Sequence, residues 1–224
     1  MIGFPRTGGL LQPLSAGDIA QIHAGSLRLL ENMGFVIHDA EILGLLSKSG
    51  CRVDSDRGLV KMPAPLVLEA IRQSPSVVTL CGRDSQHDLH LGDGRAYART
   101  PGGATQMLDL ETGIIREATK TDVADCVRLA DALPNIHGVS MCQVVPMDVP
   151  RHLMDVHSAE ASFANTRKHL FYVCHNDDLI DTVIEMAAAR VGGVDALKER
   201  PIISPLCEST SPLALSRDQA KVLR

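Results

Sequence analysis

Ile136-His-Gly-Val-Ser-Met-Cys-Gln-Val-Val145 is an apolar, β-branched run closed by Pro146. It reads as a strand, and strands so largely apolar, alternating with helices, are expected to be buried on both faces. The next segment, Pro150 to Ala164, has helical composition, and Leu170 to Cys174 is again a strand. Asp178 to Val191 carries Leu179, Ile180, Val183, Ile184 and Met186 at helical spacing, Pro201 to Leu206 is a further strand, and Leu213 to Leu223 begins another helix. Upstream, Thr119 to Leu133 reads as a helix capped by Thr121, with Val123, Val127, Ala130 and Leu133 along one side. Strand and helix in alternation predict a parallel sheet, and the fold class is α/β.

Further toward the N-terminus the rhythm is different. Val77 to Cys81 is a short β-rich run, Arg83 to Gly94 is polar and turn-rich, and Arg95 to Arg99 is extended, ending near Thr100. Residues 15–76 read as a separate, mainly helical subdomain after an irregular lead-in over 1–14. Ser15 with Asp18 opens its first helix and Gly34 ends it; a second helix runs from Asp39 to Ser49 before Gly50. Cys51 to Asp54 and Leu59 to Met62 form a small hairpin, and Pro63 and Pro65 open a helix through Ile71. The remaining 77–224 is expected to be one α/β domain.

Composition narrows the function. Apolar residues make up 45% and charged residues 22%, which suits a globular core. A net charge of -5, with basic residues scattered, gives no cationic field for nucleic acid or an anionic membrane. No charged leader and no apolar run of ~20 residues is present, so a cytoplasmic address is expected. The six cysteines form no C-x-x-C pair and read as small buried hydrophobes. G-x-G-x-x-G, the P-loop pattern and G-x-S-x-G are missing, which removes the motif support for nicotinamide, nucleotide-phosphate and serine-hydrolase chemistry. Metal binding is not expected either: His87 and His90 lie in a polar loop, and His152, Asp155 and His157 point apart on a helix.

Ile22-His-Ala-Gly-Ser-Leu-Arg-Leu-Leu-Glu31, Gly34-Phe-Val-Ile-His-Asp39 and Ser49-Gly-Cys-Arg-Val-Asp54 occur in that order, followed by Leu108-Asp-Leu-Glu-Thr-Gly113, Ala118-Thr-Lys-Thr-Asp-Val123 and Arg128-Leu-Ala-Asp-Ala-Leu-Pro-Asn135. Together they resemble the N-terminal portion of the trimethylamine methyltransferase family, the corrinoid-dependent methylamine and glycine betaine methyltransferases. The resemblance implies a TIM-type barrel with a helical extension, in a protein about twice this length. With strands ending near Thr100, Val145, Cys174 and Leu206, the chain supplies about four of the eight that a closed barrel needs. The expectation is therefore the first half of a barrel, active as part of a methyltransferase or inert alone as a fragment or split subunit. A second chain or a homo-oligomer would cover its open edge.

The resemblance further implies transfer of a methyl group from a tertiary or quaternary amine to the cobalt of a corrinoid. That cofactor is carried by a separate small corrinoid protein and is not held tightly by this chain. In the trimethylamine branch a pyrrolysine takes part, and its position falls beyond Arg224. Aromatic residues are only 3%, with no Trp, so few cation–π faces are available for a quaternary ammonium.

Barrel enzymes place their active groups at the carboxyl ends of strands. The first such end gives Gly102, Gly103 and Gln106 in a loop where backbone comes close to a ligand, or simply a tight turn. The second gives Gln143, and the third gives His175 beside Cys174 and Asn176. His175 would contact a substrate carboxylate, transfer a proton, or serve a structural role. The fourth gives Glu208, as the balance to an ammonium group or as part of a solvated rim. No catalytic residue is assigned.

Overall fold

Ser15 sits in extended backbone, and its hydroxyl accepts the Asp18 N–H while Asp18 accepts the Ser15 N–H at 2.8 Å, closing both halves of a capping box. This starts α1 (Ala16–Arg28) in the computed structural model, which describes residues 12–223. Of the expected lead-in, residues 1–11 lie outside the described residues. A π-turn, Leu29–Met33, extends α1 to Gly34, whose φ of 86° and close approach to the Val60 carbonyl stop it there. Strand β1 (Phe35–Ile37) follows, then α2 (Ala40–Lys48), capped by the Asp39 carboxylate. The expected hairpin is β2 (Arg52–Asp54) and β3 (Leu59–Lys61), and α3 (Ala64–Gln73) comes after it.

The described chain divides into two compact units, one of them Val77–Leu206, the other joining the segment before Val77 to the segment from Cys207 onward. The second unit therefore takes its last strand and helix from the far end of the sequence.

Within Val77–Leu206, β4 (Val78–Leu80) pairs antiparallel with β5 (Leu89–Leu91). The stretch 83–94 was expected to be polar and turn-rich; Leu89, nearly fully buried, draws part of it into this ladder. A second hairpin, β6 (Gln106–Leu108) with β7 (Ile115–Glu117), turns at Asp109, whose carboxylate accepts the Glu111 and Thr112 N–H groups. Helix α4 (Lys120–Ala132) is capped by Thr119 and not by the expected Thr121. Thr119 has Asp122 at the reciprocal position, and Asp122 also receives both arms of the Arg116 guanidinium at 2.6 and 2.8 Å.

The parallel sheet consists of β8 (Gly138–Ser140), β9 (His169–Val173) and β10 (Ile203–Leu206), in sequential order. Helix α5 (Met154–Asn165) connects β8 to β9, and α6 (Ile180–Val191) with α7 (Val194–Glu199) connects β9 to β10. Helices α4, α5 and α6 pack in series, burying Val123, Val127, Ala159, Val183 and Ala187. Each such aliphatic side chain contributes roughly 1.5–3 kcal/mol when fully buried, less for alanine. Regular pairing in the stretch 136–145 is confined to Gly138–Ser140, and the extended stretch expected from Arg95 to Arg99 includes the bridge between Arg99 and Gly138. Farther along, Ala104 bridges Val144, so the chain still runs parallel to this edge. The class is mixed α/β, and no sheet among the described residues closes on itself.

Buried His169 ties β9 to its surroundings. Its Nδ1 lies 2.8 Å from the Cys81 carbonyl and its Nε2 2.9 Å from the Ser204 hydroxyl. A carbonyl only accepts, so Nδ1 carries the hydrogen; burial holds the ring below its ordinary pKa and keeps it neutral.

In the other unit, β11 (Ala214–Leu215) runs parallel to β1 and completes the four-stranded order β11, β1, β3, β2. Here the expected helix from Leu213 is corrected. Ala214 and Leu215 are recruited as partners of Val36 and Ile37, and α8 (Arg217–Val222) starts only after Ser216, whose hydroxyl caps the Gln219 N–H. Ile37, Leu43, Cys51, Val60, Leu215 and Ala220 form this unit's core. Among the described residues, no helix is long and apolar enough to cross a membrane.

Candidate functional site

Asp155 lies in the first turn of α5 and is only 1% exposed. A carboxylate so deeply placed is costly unless every lone pair is used. Its Oδ2 accepts the Tyr172 hydroxyl at 2.9 Å, the His175 N–H at 2.9 Å and the Asn176 N–H at 3.1 Å, and its Oδ1 meets His175 Nδ1 at 2.9 Å. Burial pushes the carboxyl up, but hydrogen bonds from His175, Asn176 and Tyr172 outweigh it and hold Asp155 below its ordinary value.

The same contacts fix the histidine. Bonds to Asp155 first, and to the Cys142 thiol second, raise His175 to about 10 against the opposing effect of burial. At neutral pH the ring is an imidazolium. Its side chain is 36% exposed and borders a cleft of about 570 Å³ lined by Arg151, His152, Met154, Asp155, His175 and Asn176. Asn176 donates from its amide to the His152 carbonyl, joining the loop after β9 to the start of α5. Next to this cleft a smaller hollow of about 200 Å³ shares Arg151 and Met154 and is otherwise walled by Thr105, Val145, Pro146, Met147 and Val149.

These groups stand where parallel strands end, the position at which open α/β sheets bind ligands. Gly102 and Gly103 press onto the end of β8: a Cβ on Gly102 would come within 2.8 Å of Ser140 Oγ, and the Gly103 N–H donates to the Cys142 carbonyl at 2.8 Å. Gln143 belongs to the same neighbourhood, accepting the Ala104 N–H on its carbonyl, and its side-chain Nε2 is buried without a partner among the described residues. Gly102, Gly103 and Gln143 thus gather around Cys142, which reaches His175.

Two further expected site residues belong to other elements. Gln106 is exposed at the start of β6, opposite Glu117 in the hairpin. Glu208 belongs to the other unit, where its N–H donates to the Gln219 side chain, because the chain leaves the parallel sheet at Leu206.

Cys142 Sγ, an Asp155 oxygen and a His175 nitrogen lie within 4.8 Å of one another, a set able to hold a metal ion. Three donors already engage Asp155 Oδ2, and a metal would have to displace the proton held between Oδ1 and His175. The bonding favours a proton-bearing Asp–His pair. Cys142, Tyr172 and Arg151 were absent from the sequence-derived candidates, and Asp155 was considered there only with His152 and His157. The signal for Asp155 was its place on the helix face that also carries Ser158, Ala159 and Ser162, all of them buried.

The family model for trimethylamine methyltransferase matches residues 4–224. The chain belongs to the trimethylamine methyltransferase family. It is 35% identical to a trimethylamine methyltransferase MttB of Desulfitobacterium hafniense, over 95% of this chain and 43% of that protein. It is 27% identical to trimethylamine methyltransferase MttB2 of Methanosarcina mazei, over 99% of this chain and 46% of the relative. A glycine betaine methyltransferase of Desulfitobacterium hafniense is 26% identical, over 89% and 41%. The chain spans under half the length of these family members.

Proposed function

We propose that this chain provides the amine-binding portion of a methyltransferase that moves a methyl group from a tertiary or quaternary amine to the cobalt of a corrinoid. Membership of the trimethylamine methyltransferase family along residues 4–224 carries the reading. The cleft at the ends of β8 and β9, bordered by His175, agrees with it. The sequential β8, β9, β10 order fits the early strands of a (β/α)₈ barrel, with the helical unit as its extension. The corrinoid, delivered on a small partner protein, would supply the nucleophilic metal centre that takes up the methyl group. The chain's own residues have the task of holding the amine with one methyl group outward, since correct placement supplies much of the rate advantage in such transfers.

Methyl transfer to free cob(I)alamin tests the reading, with methylcobalamin formation followed in the visible spectrum. Glycine betaine and trimethylamine are the donors, and a version extended to the relatives' length is compared with this chain. Transfer by the extended version from at least one donor is expected; failure with both, and with other methylated amines, overturns the proposal. A second reading, that this chain transfers nothing alone, is favoured by the open parallel sheet. Transfer by residues 1–224 alone would dismiss it.

A further inference from the structure

Away from the cleft, three guanidinium groups from three separate elements face one hollow of about 370 Å³. Arg83 lies in the loop after β4, Arg190 in the last turn of α6, and Arg200 just before β10. Each is held by a different neighbour. The Arg83 N–H donates to the Arg167 carbonyl at 2.6 Å, and Gly82 before it has no room for a side chain, since a Cβ there would come within 2.5 Å of His87 Cβ. Arg190 Nε donates to the Phe163 carbonyl at 2.8 Å, and no hydrogen bond among the described residues takes its two terminal nitrogens. Arg200 pairs with Asp88. Asp84 and Glu199, both exposed, line the same hollow, yet among the described residues no carboxylate pairs with Arg83 or Arg190. Burial first, and the Arg83 charge second, hold Arg190 below its ordinary value, so the two cations feel each other across the hollow. Like charges brought together in this way repel, and an anion bound between them turns the repulsion into attraction.

We propose that Arg83 and Arg190, backed by Arg200, form a binding site for a phosphate group, free or carried on a small hydroxyl-bearing molecule. A planar guanidinium donates in parallel to two phosphate oxygens, so two of them clamp a tetrahedral dianion from two sides. A hollow of this size lies within the range of small-molecule sites and has room for more than the phosphate. Asp84 and Glu199 offer acceptors to the hydroxyl groups of a carrier. The site stands at the amino ends of β9 and β10, marked by the Arg167 carbonyl and by Arg200, whereas the cleft bordered by His175 follows the carboxyl end of β9. The proposal therefore goes beyond the methyltransferase reading and does not rest on it.

Calorimetric titration of the chain tests this with three probes: inorganic phosphate, glycerol 3-phosphate and glycerol. Both phosphates are expected to bind and glycerol is not. Arg83→Gln, a change at an exposed side chain whose backbone keeps its bond to Arg167, should weaken both phosphates by about tenfold or more. Arg190→Lys keeps the charge, gives up the fork and should weaken them severalfold. Arg72→Gln, an exposed arginine on α3 in the other unit, should leave binding unchanged. Chemical denaturation of each variant shows whether it is folded, and if Arg83→Gln is not, Arg190→Lys decides alone. Glycerol 3-phosphate binding more tightly than inorganic phosphate would assign the site to a phosphate ester, and equal or weaker binding would assign it to free phosphate; either retains the site. No binding of either phosphate, a folded Arg83→Gln variant that holds both as before, or an equal loss in Arg72→Gln would overturn it.

Discussion

At the scale of single residues, the Asp155–His175 pair governs the site, and its charge state sets two predictions. Asp155→Asn keeps the shape but removes the charge that Tyr172, His175 and Asn176 all contact; a loss of about 2–4 kcal/mol in chemical denaturation is expected. In the same variant, the His175 ring followed by NMR should titrate well below the value of about 10 that Asp155 helps to set. The second prediction concerns pH. His175 has a folded-state value raised above its ordinary 6.5, so its stabilising contribution is complete below pH 6.5 and fades as pH climbs through about 10. Asp155 is held below its ordinary 3.8, so its contribution is present above pH 3.8 and is lost on acidification through its folded-state value. The stability advantage of the native chain over His175→Gln should therefore shrink steadily between pH 7 and pH 10.5, and a difference that stays flat over that range would contradict the assignment. The sequence made His175 visible because it follows a strand. Asp155 was weighed only against its neighbours His152 and His157, whereas its partner is twenty residues away, beyond the rest of α5 and strand β9. Glu208 follows the end of β10 in sequence, but the chain there has already passed into the other unit.

At the scale of elements, local chemistry sets the boundaries. Thr119 and Asp122 cap α4 reciprocally, and Thr119→Ala should cost about 0.5–2 kcal/mol and speed hydrogen exchange in the first turn of that helix. Thr121→Ala, one turn position inside, should cost much less. Gly34 combines a positive φ with a Cβ position 2.6 Å from the Val60 carbonyl, so Gly34→Ala must both strain its own backbone and push β3 away. A loss of 1 kcal/mol or more is expected from urea unfolding. Features of this kind were legible: Ser15 with Asp18, Gly34 and Gly50 each announce a helix end within four residues. Strands β5 and β11 were not, since neither Leu89–Leu91 nor Ala214–Leu215 has an alternation long enough to declare itself, and each exists because a distant partner offers its edge.

At the scale of the whole molecule, alternating strands and helices were readable from hydrophobic period alone, while the division of the chain was not. The segment from Cys207 contributes Leu215 and Ala220 to the core shared with Ile37 and Val60. Removing that segment should strip protection from the amides of Val36 and His38, which bond to Leu213 and Leu215, and leave exchange in β8, β9 and β10 unchanged. Equal loss in both units would show that they do not unfold independently. The pairing of Val36 with Ala214 also has a consequence in time. At roughly 5–20 residues per second of synthesis, Phe35–Ile37 leaves the ribosome on the order of ten to thirty seconds before its partner strand exists. Throughout that interval the nascent chain displays one unpaired edge of β1, and the parallel sheet is made entirely while it waits. Any factor that shields nascent chains would find its work there.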